Sequence, residues 1–139
     1  MKSRAPRNFL MSFLLFLVAL LLVLTTAPIG FLYAFIRQTC SSKAKSLNIY
    51  FIEVALVLDE VGNVTMQHLL NDILLIKQEQ TYYFGNKSET ISSVIGKNSL
   101  TNTLSPLGSA LNSFLNFLDK DHSLNSIIYD VKSWKDKMI

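Results

Sequence analysis

Between Phe9 and Ile36 the chain carries no charged residue, and the run "FLMSFLLFLVALLLVLTTAPIGFLYAFI" is apolar over nearly its whole length. It exceeds the roughly 20 residues that cross a bilayer core at about 1.5 Å per residue. The pattern predicts one transmembrane helix over 9–36, after a basic tail over 1–8. Pro28 and Gly30 sit near its end, where the helix is expected either to kink or to give way to an interfacial segment. Residues 37–46 then read as a polar juxtamembrane linker, and 47–139 as a small helical domain, so the fold class expected is all-α.

Within that domain the apolar positions recur at helical spacing. Phe51, Val54, Leu58 and Val61, followed by Met66, Leu69, Leu70, Ile73 and Leu74, predict one long helix or two meeting near Gly62-Asn63. A strand over "IYFIEVALVL" is disfavoured because period-2 alternation fails and no hairpin partner follows. Glu53, Asp59 and Glu60 leave too short a neutral run for a second span, and Glu53 is expected at water or a headgroup. Gly85-Asn86 marks a turn after Tyr82, Tyr83 and Phe84, which read as a small aromatic core cluster in preference to an interfacial belt.

The next stretch, "FGNKSETISSVIGKN", packs hydroxyls and amides between two glycines. Asn86 or Ser88 is the expected N-cap, Asn86 to Glu89 has capping-box spacing, and Glu89 falls in the first turn. Ile91, Val94 and Ile95 form the expected buried stripe of a short helix over about 86–96 that Gly96 and Asn98 would stop. Ser92 and Ser93 are then mid-helix hydroxyls, cheap only on an exposed face.

Ser105-Pro106-Leu107 reads as N-cap, N1 and first buried position. Leu107, Ala110, Leu111, Phe114, Phe117 and Leu118 make one apolar face, expected to be buried, opposite Ser109, Asn112, Ser113 and Asn116. That polar face has no charge, so the cationic mark of a peripheral membrane helix is missing. Asp121 or Ser123 starts a last helix bearing Leu124, Ile127, Ile128, Val131 and Trp134.

Charge narrows the picture. Of 13 Lys and Arg, three lie in residues 1–7, leaving ten against ten Asp and Glu in the rest. The region beyond the span is formally neutral, and no nucleic-acid partner is expected. Lys2, Arg4 and Arg7 before the span nearly balance Arg37, Lys43 and Lys45 after it, with a tilt toward an inside N-terminus. A cleaved signal is the rival for the same segment, disfavoured by Pro28 directly after Ala27 and by an apolar run that continues to Phe35. The single Cys40 permits no intrachain disulfide, and "RQTC" does not suit lipidation.

The candidate chemistry is sparse. Phosphate loops, nucleophile elbows and zinc-type Cys and His spacing are lacking, so no metal or cofactor is expected. His68 reads as a surface residue of a helix. Asp119 and Asp121 flank His122 and can orient or charge it. Glu89, Ser93 and His122 supply the residue types of a carboxylate, a hydroxyl and an imidazole, which nucleophilic catalysis needs within hydrogen-bond reach. The competing reading is a polar network that clamps two short helices. Asn63-Val64-Thr65 and Asn86-Lys87-Ser88 match the N-glycosylation pattern, as chance permits in an Asn-rich chain.

Over residues 47–128 the segments "DEVGN", "YFGN", "SETISSVIGKN" and "DKDHSLNSI" resemble a set of small membrane-anchored proteins of tailed phages and prophages, especially of Bacteroidota. Ser88 stands where those proteins usually have Asp, and Ser123 where some have Cys. The resemblance implies a phage or mobile-element origin, a bacterial host envelope, and Asn86, Glu89, Thr90, Ser92, Ser93 and His122 as the motif to test. The expectation is a single-pass protein of the host inner membrane, partnered by the lipid bilayer and self-associating through its membrane helix. Lysis or envelope remodelling, holin-like or spanin-like, is the leading role, although "FGNK", "VIGKN" and "SPLG" break the long coiled coil that suits a spanin. The alternatives are a membrane-tethered hydrolase using Glu89, Ser93 and His122, and a superinfection-exclusion or other membrane interaction protein.

Overall fold

A computed structural model describes residues 8–40 and 44–128, and the regular structure among them is helical, with no extended strands. The helices are α1 (Phe9–Cys40), α2 (Ala44–Thr65), α3 (Gln67–Ile73), α4 (Ile91–Leu100), α5 (Pro106–Leu118) and α6 (His122–Asn125). The chain divides into two compact units, Met1–Phe51 and Ile52–Ile139, with the division inside α2.

In the first unit, Phe9–Arg37 is long and apolar enough to cross a membrane. α1 runs through Pro28 without interruption. The missing proline N–H costs one rung of the helical ladder, and the helix tolerates it. Thr25 and Thr26 return their hydroxyl protons to the carbonyls of Leu21 and Leu22 at 2.8 and 2.7 Å. Such back-bonding lets a hydroxyl sit in hydrocarbon without an unmet donor. Residues 37–40 and 44–46, expected in a linker, are helical. The ring of Phe31 lies against those of Phe51 and Tyr50, at 5.8 and 6.2 Å between centroids.

In the second unit, α2 and α3 part at Met66, a little beyond the expected Gly62-Asn63. Gly62 lies inside α2, and its bare Cα gives room to the Ile91 side chain. A short antiparallel bridge joins Leu75 to Leu104, with Ile76 N–H on Thr103 at 2.8 Å and Ser105 N–H on Leu74 at 2.8 Å. Gly108 lets the start of α5 close onto the Leu74 carbonyl, where a Cβ would collide. The apolar core is small: Leu70, Leu74, Leu75, Phe84, Val94 and Ile95, with Tyr83, Ile91, Leu104, Leu111 and Leu115 packed around it. Phe84 alone of the aromatic triplet is fully buried; Tyr82 is exposed.

Three expectations need correcting. α4 begins at Ile91 with Thr90 as N-cap and ends at Leu100, so Glu89 precedes the helix while Gly96 and Asn98 lie inside it. The Asn86 to Glu89 spacing is a turn, with Glu89 N–H on the Asn86 carbonyl at 3.1 Å, and not a capping box. On α5, Ser105 and Pro106 are the N-cap and N1 as expected, but the apolar face is mostly outside. Leu107, Phe114, Phe117 and Leu118 are exposed, and only Leu111 and Leu115, on one margin, reach the core. Asp121 stands at the N-cap position of α6 in the left-handed region without a side-chain cap bond, and the helix ends at Asn125, before Ile127 and Ile128. Val131 and Trp134 lie outside the described residues.

Candidate functional site

Beside Phe84, Val94 and Ile95, most of the residues buried completely in the second unit are polar. Asn63, Ser93, Asn98, Thr103 and Ser123 have 0% exposure, and Glu89, Thr90, Ser92 and Lys97 are also buried. A buried polar group is costly unless bonded, so the hydrogen-bond partners decide what this cluster is for.

Residues 81–86 connect α3 to α4 without helix or strand structure of their own. Side-chain amides take the place of a strand. Asn98 accepts from Tyr82 N–H at 3.0 Å and donates to the Tyr82 carbonyl at 2.7 Å. Asn71 accepts from Phe84 N–H at 2.8 Å and donates to the Phe84 carbonyl at 3.3 Å. Asn63 accepts from Gly85 N–H at 2.9 Å and donates to the carbonyls of Asn86, at 2.9 Å, and Glu89. A primary amide carries the donor and acceptor of a peptide group, so asparagine can complete both sides of a backbone pairing. Gly85 adopts a φ of +116°, which L side chains rarely reach, and turns the chain from this segment toward α4.

The start of α4 is held just as closely. Thr90 accepts from Ser93 N–H at 3.0 Å. Asp59 of α2 accepts from Ile91 N–H at 3.1 Å and from the Ser92 hydroxyl at 2.9 Å. A carboxylate facing the first N–H groups of a helix meets orphan donors and the positive end of the dipole. Asn86, through its Oδ1, receives Ser88 N–H at 3.2 Å and closes the turn before it.

Glu89 and Ser93 do come together. The Ser93 hydroxyl donates to Glu89 Oε1 at 2.9 Å, and the same carboxylate oxygen forms an ion pair with Lys97. Both charged side chains are at most 10% exposed. The Lys97 ammonium also lies 5.5 Å from the centre of the Tyr82 ring, at the distance of a cation–π contact. Ser93 Oγ in turn accepts the N–H of Ile128 at 3.0 Å. The hydroxyl is therefore used in both directions, as donor to a carboxylate and acceptor from backbone.

His122 has its bond elsewhere. Its Nδ1 faces Asp119 Oδ2 at 3.1 Å, with the imidazole about one-third exposed. The residue beside it is the buried one: Ser123 Oγ donates to Asn112, and Gly96 packs against the Ser123 carbonyl. Asn112 donates onward to Ser99 at 3.1 Å, so α4, α5 and α6 meet through hydroxyls and amides. His68 is exposed on α3.

Both sequon asparagines are consumed by the fold, Asn63 through both ends of its amide and Asn86 through Oδ1. Among the described residues no cluster of His, Cys, Asp and Glu has the makings of a metal site. Asp59, Asn63, Asn71, Lys97, Asn98, Asn112 and Ser123 are not among the candidate site residues read from the sequence, yet they carry much of the network. Their signal in the sequence is polarity at helical spacing, as in Asp59 and Asn63 or Asn112 and the partly buried Asn116, on faces with few or no competing charges. No known protein family, curated protein or solved structure matches the chain.

Proposed function

We propose that this chain is a non-enzymatic, single-pass protein of a bacterial inner membrane, of phage or prophage origin, that acts on the host envelope. The observation that carries this reading is the assignment of polar groups in the second unit. The residues suited to chemistry are spent on architecture: Ser93 between Glu89 and Ile128, Glu89 on Lys97, and Asp59 on the N-terminus of α4. A nucleophile needs a free base within reach and access for a substrate. Ser93 has 0% exposure, and the imidazole of His122 is engaged by Asp119. Among the described residues the surface on offer is largely apolar: Phe9–Arg37 as a candidate span, Ile52, Leu56, Val57, Leu58 and Val61 on α2, and the outer face of α5.

Lysis or envelope remodelling, in the manner of a holin, is the role that best suits a membrane helix joined to a helical unit with an apolar exterior. The test is inducible expression in a bacterial host, following viability and membrane potential. The effect is expected to require residues 1–36 and to survive His122→Ala, which leaves the buried network intact. Loss of the effect in a folded, membrane-inserted His122→Ala protein would favour the tethered hydrolase with Glu89, Ser93 and His122.

A further inference from the structure

We infer that the outer face of α5 lies in the interfacial layer of the bilayer that holds the N-terminal helix. The inference rests on the anchoring part of the proposed function and adds a second, in-plane membrane contact to it.

The face is built from Leu107, Phe114, Phe117 and Leu118, exposed by 54%, 56%, 84% and 64%. Exposed apolar side chains scattered singly are ordinary on protein surfaces, but four on one thirteen-residue helix form a patch of the kind that marks an interaction site. Its chemistry suits hydrocarbon better than water. Pro106–Leu118 contains no charged residue, and the first charge, Asp119, comes where the helix stops. The helix's amides are turned inward, with Asn112 on Ser99 and on Ser123, whose hydroxyl also reaches Asn116. Lipid tolerates polar side chains when their bonds are closed within the protein, as these are.

Length selects the mode of contact. Thirteen residues span about 20 Å, short of a roughly 30 Å hydrocarbon core, so the helix lies along the membrane and does not cross it. The lack of a cationic face would weaken a free peripheral helix, which uses basic residues to find anionic lipid. Here Phe9–Arg37 supplies the attachment, and a tethered second contact forms at high effective concentration without an electrostatic lure. The uncharged polar face and the apolar outer face of α5 thus have one explanation.

The test uses the full chain, with Cys40→Ser, reconstituted into phosphatidylethanolamine and phosphatidylglycerol vesicles. An environment-sensitive fluorophore is placed at Phe117→Cys and, separately, at the exposed Ser109→Cys, which lies off the apolar face and opposite Leu118 on α5. Insertion predicts a blue shift at 117, quenching by lipids carrying a shallow nitroxide, and protection from aqueous iodide, with 109 open to iodide. Iodide quenching at both positions would overturn the proposal. Protection at 117 without lipid quenching, accompanied by a disulfide between two copies of the unlabelled Phe117→Cys protein, would also overturn it and assign the face to a second copy. Carbonate extraction of the same vesicles separates the two levels. Release of the chain removes the anchor reading and this proposal with it, whereas a retained chain with an iodide-open 117 removes this proposal alone. Because Phe117 is so exposed, its replacement is expected to leave the thermal unfolding midpoint in detergent unchanged.

Discussion

Asn98 pairs its side-chain amide with both backbone groups of Tyr82, receiving the N–H at 3.0 Å and giving to the carbonyl at 2.7 Å. The same amide donates to Val94 at 2.8 Å and accepts from Thr103, so it joins α4 to the segment before it and the segment after it. Asn98→Ala removes all of these at a site with 0% exposure. Unpaired backbone groups at Tyr82 then add to the lost bonds, and the expected destabilisation is about 3 kcal/mol. Urea unfolding of the detergent-solubilised full chain, followed by circular dichroism, measures it; a change below about 0.5 kcal/mol, the range of ordinary surface substitutions, would contradict the clamp.

The buried Glu89 and Lys97 pair makes a prediction about coupling. Removing one partner leaves the other charge buried alone, at an expected cost of about 3 to 5 kcal/mol for Lys97→Met or Glu89→Leu. The double variant removes both charges together and is expected to be less destabilised than the sum of the single changes by at least about 1 kcal/mol. Additive losses in a double-mutant cycle would mean that the two side chains do not share an ion pair.

Gly96→Ala sets helix propensity against packing. Alanine is favoured over glycine inside a helix by about 1 kcal/mol, so an exposed position would be stabilised. At Gly96 the added Cβ meets the carbonyl oxygen of Ser123, a backbone atom that cannot swing aside. The expected outcome is net destabilisation, with α6 loosened from α4 and earlier proteolysis near residue 123. A stabilised Gly96→Ala protein would contradict the close approach.

Asp72 and Lys77 provide a pH-dependent counterpart at the surface. The hydrogen bond from Lys77, and then its charge, hold the Asp72 carboxyl below its ordinary value of 3.8. Its contribution to stability is therefore present above pH 3.8 and is lost as pH falls through the lower folded value. Lys77 is shifted up from 10.5 for the same reason, so its contribution is present below that pH and is lost at higher pH. With both side chains about two-thirds exposed, Asp72→Asn is expected to cost little, and the difference from wild type should fade in acid and in high salt.

The extent to which the sequence foretold this structure follows from what each signal reports. The uncharged run from Phe9 made the long apolar helix legible, since length and absence of charge are the whole signal. Ser105-Pro106 placed the start of α5 correctly because cap and N1 chemistry are local. Its orientation was not local. Apolar periodicity shows which residues share a face, but the face that packs depends on Leu74, which meets Gly108 of α5, and on Ser123, both contributed from other elements. The stretch from Phe84 to Asn98 misled in a similar way. Its polar residues look like caps and surface hydroxyls until Asp59, Asn63 and Asn71, from the α2 and α3 region, are set against them. Glu89 and Ser93 stand out in the sequence as a carboxylate and a hydroxyl that could serve catalysis with His122, whereas Asn98, near a glycine, reads as a helix stop although it lies inside α4.

The central claim is that this polar stretch is a clamp built from side-chain amides, and amide hydrogen exchange at Tyr82 and Phe84 tests it most directly. Neither N–H has a strand partner, and both point at asparagine oxygens. In the intact chain both are expected to exchange slowly, and Asn98→Ala is expected to release Tyr82 toward the rate of an open loop while Phe84 stays more protected. Fast exchange at both positions in the wild-type chain would contradict the clamp and return the stretch to the role of an exposed, accessible site.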